Sequence, residues 1–459
     1  MQAPSFPRTD HEQRVARLVE QFAAIGPDEP IRLAKKTSNL FRDRGKAAGP
    51  GLDVRPFEHV IEVDPRTRTA SVEGMVTYER LVDATLPYGL MPLVVPQLKT
   101  ITLGGAVTGV GIESSSFRNG CPHESVRRME ILTGDGRVLE ATADGPHADL
   151  FRAFPNSYGT LGYALRLDIE LEPVRPYVRL RHIRHTDRSA FFAQMTELCE
   201  TRTLDGSDVD FVDGTIFSGD EMYLTVASFV GEAPYLSDYT WTDIYYRSVQ
   251  TYREDFLTIR DYLWRWDTDW FWCSRAFGVQ RPLVRKLLGR RLLRSDVYWK
   301  IVALERRTHL NANIERLRGR PPREDVVQDI EVPVEGAADF LDFFLREIPI
   351  EPIWVCPLRQ RDEAVQWPLY TFSPDRLYVN FGFWSSVALN PGETDGHHNR
   401  LIEAKVDELH GRKSLYSTSF YSTEEFWRLY NGSAYELVKK EYDPDRRLLD
   451  LYEKCVQRR

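Results

Sequence analysis

The chain has 459 residues, 42% hydrophobic and 28% charged, the composition of a globular enzyme with room for two domains. Its formal net charge of −8 argues against nucleic acid as the main partner. Cys121, Cys199, Cys273, Cys356 and Cys455 form no CxxC or zinc spacing, the N-terminus has no apolar signal segment, and no run of ~18 apolar residues occurs. The expectation is a cytoplasmic protein with free thiols in a reducing compartment, in contact with a membrane at most peripherally.

Residues 11–25 carry Val15, Leu18, Val19, Phe22 and Ala23 at helical spacing. After the polar turn 35–46, His59–Asp64 and Arg68–Met75 predict a hairpin. A helix is predicted over Val76–Leu86, and the Pro-containing run LMPLVVPQL is extended but not a central strand. Met129–Ala143 predicts two alternating strands around Asp135-Gly136, a strong hairpin signal. A short helix follows at 148–154, then a long strand over Gly159–Val174. The texture changes near Pro176, which sets the expected boundary between domains 1–175 and 176–459. The second domain opens on aromatic-rich material (239–273), then shows strand-like runs at Asp329–Val334, Glu351–Leu358 and Arg376–Trp384. Helices are expected at Thr423–Leu437 and Leu448–Val456, and these may fold back on the first domain.

The stretch ITLGGAVTGVGIESSS, Ile101–Ser116, places Gly104, Gly105, Gly109 and Gly111 within eight residues. It is no Rossmann fingerprint. The third glycine position falls on Ser114, and an antiparallel hairpin follows where a βαβ unit is required. Bare backbone N–H groups and the hydroxyls of Ser114–Ser116 suit a diphosphate held on oriented dipoles, because no lysine or arginine lies inside the loop.

TLGGAVTGVGIESSS, the strand-Asp-Gly-strand hairpin and DLFRAFPNSYGTLG together resemble the FAD-binding domain of the vanillyl-alcohol-oxidase (PCMH) type. Within that superfamily the likeness is to the Δ24-sterol reductase group and related bacterial methylene-fatty-acyl reductases. VVQDIEVPV, EPIWVCPL and LYSTSFYSTEEFWRLYNGSAYELVKKEY extend it over roughly residues 50–459. The resemblance implies an α+β fold, with a two-subdomain FAD-binding domain and a larger substrate domain built on an antiparallel sheet. It also implies non-covalent FAD, NADPH as electron donor and a lipid substrate. Thr102, Gly104, Gly105, Gly109, Gly111, Ile112, Glu113 and Ser114 would wrap the cofactor, with Gly159 and Thr160 closing the other side. Thr37, Ser38 and Asn39 occupy the place of the family's first pyrophosphate loop. His123 offers a second conceivable flavin attachment point.

The implied substrates share an isolated C=C with one carbon fully alkylated, either a sterol Δ24 bond or a 10-methylene acyl chain. Hydride addition to such an alkene needs a proton, an apolar pocket and aromatic faces. Glu113, Asp329 and Tyr421 are the candidate catalytic residues, with Tyr416 and Glu331 beside them. Asp329 and Glu331 alternate along one strand and so share a face. No metal-ligand constellation appears. An alcohol oxidase using oxygen and a non-catalytic, flavin-stabilised lipid-binding protein are the rival readings. Arg281–Arg294 holds six basic and no acidic residues in fourteen, with Leu283, Val284, Leu287, Leu288 and Leu292 at helical spacing. That pattern suits a helix lying on an anionic membrane surface.

Overall fold

The computed structural model describes residues 8–35, 41–42, 51–308 and 321–458. Two antiparallel sheets organise an α+β architecture, and the chain passes from one to the other between Pro173 and Tyr177. The first sheet runs Val60–Asp64, Thr69–Glu73, Tyr163–Pro173, Val126–Leu132 and Val138–Thr142, with Leu90–Pro92 pairing on the far end of Tyr163–Pro173. The Asp-Gly turn closes as its sequence requires: Thr133 Oγ1 donates to Asp135 Oδ1 at 2.6 Å, and the Arg137 amide donates to the same oxygen at 3.2 Å.

The glycine stretch departs from expectation. Its first half is not loop but a helix, Leu103–Gly109, capped by Thr102, whose Oγ1 accepts from the Gly105 amide at 3.2 Å. Glycine costs a helix about 1 kcal/mol per residue, so packing must decide here. A Cβ on Gly104 would lie 2.7 Å from the Gly74 carbonyl oxygen and 3.2 Å from its Cα. Only glycine lets the helix rest directly on the sheet edge.

The second sheet has eight strands, in the order Glu254–Thr258, Tyr177–His185, Glu221–Val230, Phe211–Ser218, Ile353–Leu358, Tyr378–Ala388, Arg323–Pro333 and Arg412–Lys413. Its faces follow the two-residue period of a strand. Val326, Ile330, Val332, Val379, Phe381, Phe383, Ile353 and Val355 pack in one core with helices Arg188–Thr201, Val334–Glu347 and His397–Glu408. The alternate positions Trp354, Asp329 and Trp384 look the other way, onto a cavity.

The C-terminal helix expected over Thr423–Leu437 is two helices, Thr423–Leu429 and Gly432–Tyr442. Asn431, at φ 51°, ends the first and caps the second, its side chain accepting from the Ala434 amide. The tail packs back on the first unit. Lys439 Nζ donates to the Thr160 carbonyl at 2.8 Å and pairs with Asp443 at 2.7 Å. Tyr435 OH meets Thr160 Oγ1 at 2.9 Å.

Candidate active site

Residues of both units line one cavity of ≈1330 Å³. That exceeds the roughly 300–1,000 Å³ of a drug-sized ligand site, leaving room for a dinucleotide and a second molecule. Thr102, Gly104, Gly105, Gly109, Gly111, Ile112 and Gly159 form one wall. Trp270, Phe271, Trp354, Trp384 and Tyr416 form an aromatic wall. Trp270, Phe271 and Trp272 have φ of 55°, 53° and 57° in succession, a left-handed conformation that bulky residues rarely adopt.

A dinucleotide fits the donor set. Gln97 lines the cavity with its Nε2 buried and without a hydrogen-bond partner. Lys35, Arg42, Lys454 and Arg458 also line it. Lys454 is fixed by donating to the Tyr158 carbonyl at 2.6 Å, and Arg42 donates to the Lys454 carbonyl at 3.3 Å. Inside the glycine stretch, backbone dipoles alone can meet diphosphate charge. The structure adds cations from the chain's C-terminal end and from the segment before residue 43, which no local motif announces.

Several expected site residues stand elsewhere. Ser114 does not line the cavity, because its Oγ is 3.0 Å from Tyr262 OH. Ser115 Oγ donates to the Leu93 carbonyl at 2.8 Å, and Ser116 Oγ accepts from the Glu113 amide at 3.0 Å, so the three hydroxyls fasten the loop from behind. Thr160 is likewise buried under the C-terminal helix, donating to the Ser157 carbonyl. His123 is buried away from the cavity, edge-on to Trp367 at 4.6 Å, and burial pushes its imidazole down to about 3. Thr37, Ser38 and Asn39 lie outside the described residues.

Glu113, expected as flavin ligand or acid, points away from the cavity. Its Oε1 accepts from Arg265 Nη2 at 3.1 Å, and the same nitrogen donates to Asp213 Oδ2 at 2.8 Å. All three side chains are buried, and the guanidinium lies 4.1 Å from the Tyr262 ring centroid. Burial raises the Glu113 carboxyl; Arg265 pulls it down and Asp213 pushes it up. Glu113 belongs to the glycine stretch, Asp213 to the second sheet, and Arg265 follows helix Ile259–Leu263. The triad is a staple between the two units, and none of its three side chains lines the cavity.

Tyr421 is also corrected. It packs against Phe426 and Tyr430 and does not line the cavity. The buried Lys413–Glu403 pair, 2.6 Å apart, ties down the Thr418 carbonyl and the Phe420 amide and so carries Tyr421 away from Tyr416.

Asp329 does reach the cavity. Its Oδ1 accepts from Asn380 Nδ2 at 3.2 Å. Gly382 lies directly across the ladder, where a Cβ would stand 2.5 Å from that oxygen. Burial pushes the Asp329 carboxyl up to about 7, against hydrogen bonds from Asn380 and Tyr416. Glu331 shares its strand face but sits one layer deeper, accepting from Tyr370 OH and, at 3.3 Å, from Ser414 Oγ. Ser414 itself lines the cavity.

The fold and this site define an FAD-dependent oxidoreductase: residues 8–142 match the model of the FAD binding domain. Along most of its length the chain is similar to Delta(24)-sterol reductases. It is 27% identical to that of Arabidopsis thaliana, over 89% of this chain and 77% of the relative. It is 27% identical to that of Homo sapiens, over 87% and 76%. A shorter match, 35% identical over 36% of each chain, is to the decaprenylphosphoryl-beta-D-ribose oxidase of Mycolicibacterium smegmatis.

The contact between Gly104 and Gly74 gives a direct test of the cofactor wall. Gly104→Val should displace helix Leu103–Gly109 at a cost of about 1–3 kcal/mol. Flavin released per chain on denaturation should fall with it. Full flavin content in the variant would show that the helix does not shape the cofactor site.

Proposed function

We propose that the protein reduces an isolated C=C of a lipid, with NADPH as electron source and Asp329 as proton donor. The observation that carries this reading is a protonatable carboxyl on the wall of the cavity that Trp270, Phe271, Trp354, Trp384 and Tyr416 also line. FAD, when bound and once reduced by NADPH, would supply the hydride to the fully alkylated carbon. Asp329 holds a proton near neutral pH and can give it to the less substituted alkene carbon. Positive charge then develops on the fully alkylated carbon, and the aromatic faces stabilise it. Gly382 leaves the carboxyl room, Asn380 orients it, and the staple keeps the two walls in register. The names of these relatives support the sterol Δ24 bond as substrate; a 10-methylene acyl chain presents the same alkene chemistry.

The similarity to an oxidase favours one alternative, hydride removal from an alcohol with oxygen as acceptor. Anaerobic rapid mixing separates the two. The reductase reading expects NADPH to bleach bound flavin and a lipid alkene to restore the colour. Bleaching by an alcohol, with rapid recovery on admitting oxygen, would replace it. Lipid mass spectrometry of cells with and without the protein should show a gain of two mass units in the product, and its identity decides between sterol and acyl chain.

A further inference from the structure

We propose that helix Pro282–Leu292 docks the protein on an anionic phospholipid bilayer, with Leu283 and Leu287 as the inserted side chains. The inference rests on the reading above only in taking the substrate to be a lipid. Leu283 and Leu287 lie one turn apart on the same side of the helix, 75% and 88% exposed. Isolated exposed leucines are ordinary. Here Phe277, Leu292 and Leu304, from the flanking elements, are exposed as well.

The structure sorts the basic residues into two groups. Arg285, which the sequence pattern placed with the solvent-facing cations, is buried; it donates to the Trp241 carbonyl at 2.6 Å and reaches those of Thr268 and Asp243 at 3.4 Å. It bolts the helix to the body of the protein. Arg290 pairs with Asp238, and Arg294 with Glu79 and Asp296. Arg281, Lys286 and Arg291, on the same segment as the two leucines, are exposed. The segment 281–294 carries no acidic residue in a chain of net charge −8. Exposed leucines and exposed cations on one segment are complementary to anionic headgroups over acyl chains.

The face also stands close to the cavity. At Gly289 the backbone leaves helical geometry, with φ 64° and ψ 171°. Leu288 and Leu293 then pack inward with Trp270, Cys273, Tyr298 and Val302. Trp270, Cys273 and Tyr298 line the cavity, as do Trp299, Lys300 and Ala303 of the next helix, Ser295–Thr308. One packed layer therefore separates the proposed docking face from the wall of the cavity.

Flotation of the full chain with vesicles tests this without turnover. Binding is expected to phosphatidylcholine vesicles containing phosphatidylglycerol, weakening with salt, and not to phosphatidylcholine alone. Leu283→Ser with Leu287→Ser should weaken it by about tenfold or more. Arg281→Ser, Lys286→Ser and Arg291→Ser together should abolish the anionic preference. These side chains are exposed, so unchanged flavin content and circular dichroism certify the fold of the variants. Equal binding to both vesicle types, or binding indifferent to the leucine pair, overturns the proposal. So does a dimer in sedimentation velocity that the leucine variant dissolves, since a second copy would then own the face. Vesicle binding by a protein that reduces no alkene would sink the reductase reading and leave this one standing.

Discussion

Asp329→Asn is expected to lower the rate of alkene reduction by about 10²–10⁴-fold, the usual contribution of a positioned general acid. Asparagine keeps the shape and the contact with Asn380 but has no acidic proton. The half-reaction with the electron donor needs no such proton, so bleaching of bound flavin should proceed at the unaltered rate. With the Asp329 carboxyl pushed up to about 7, the acid form dominates below that pH and is lost above it. Alkene reduction by the unaltered protein should therefore fall as pH rises through about 7, and the variant should lose that step in the profile. Stability follows the same sign. A carboxyl raised on folding contributes stability below its ordinary range and loses it as pH rises through the folded value. The asparagine variant should accordingly be no less stable at alkaline pH, which separates lost chemistry from lost fold. Activity within a few-fold of the unaltered protein would remove Asp329 as the donor and direct attention to Glu331 behind Ser414.

Arg265→Met should cost about 3–5 kcal/mol, the penalty for leaving buried charge without its partner. Burial works against the Arg265 cation, but Tyr262, Asp213 and Glu113 outweigh it. Without it, two buried carboxylates face each other with no cation in contact. The deficit, measured as the denaturant midpoint, should be largest at alkaline pH and shrink as pH falls and Glu113, whose carboxyl burial already raises, takes up a proton. Adding Glu113→Gln and Asp213→Asn should restore most of the stability, because a neutral set removes the unpaired charge. No recovery in the triple variant would mean that Arg265 acts through its packing on Tyr262 and Tyr245 instead.

Much of the scaffold was legible in the residues. Strict alternation around Asp135-Gly136 marks a hairpin because turn and strands are encoded within fifteen residues. Along Asp329–Val334, Ile330 and Val332 had to face one way and Asp329 and Glu331 the other, so a cavity-facing carboxyl was foreseeable there. The glycine stretch was expected to wrap a cofactor and does line the cavity, yet its helix was not foreseen, because the packing on Gly74 that outweighs poor propensity lies thirty residues away. Glu113 was misassigned for a related reason. Its partners Arg265 and Asp213 are 152 and 100 positions distant, and no local pattern records them.

By itself the sequence determined the hairpin around Asp135-Gly136, several strands and helices on either side of it, the change of texture at Pro176 and the glycine run, since each is written in short-range periodicity and turn chemistry. Only the tertiary structure decided which polar groups meet the cavity. It brought Asp329 and Lys454 to it and turned Glu113, Ser114, Thr160 and Tyr421 away from it. Which way a side chain faces is fixed by what packs behind it, and those neighbours come from segments the chain brings together only on folding.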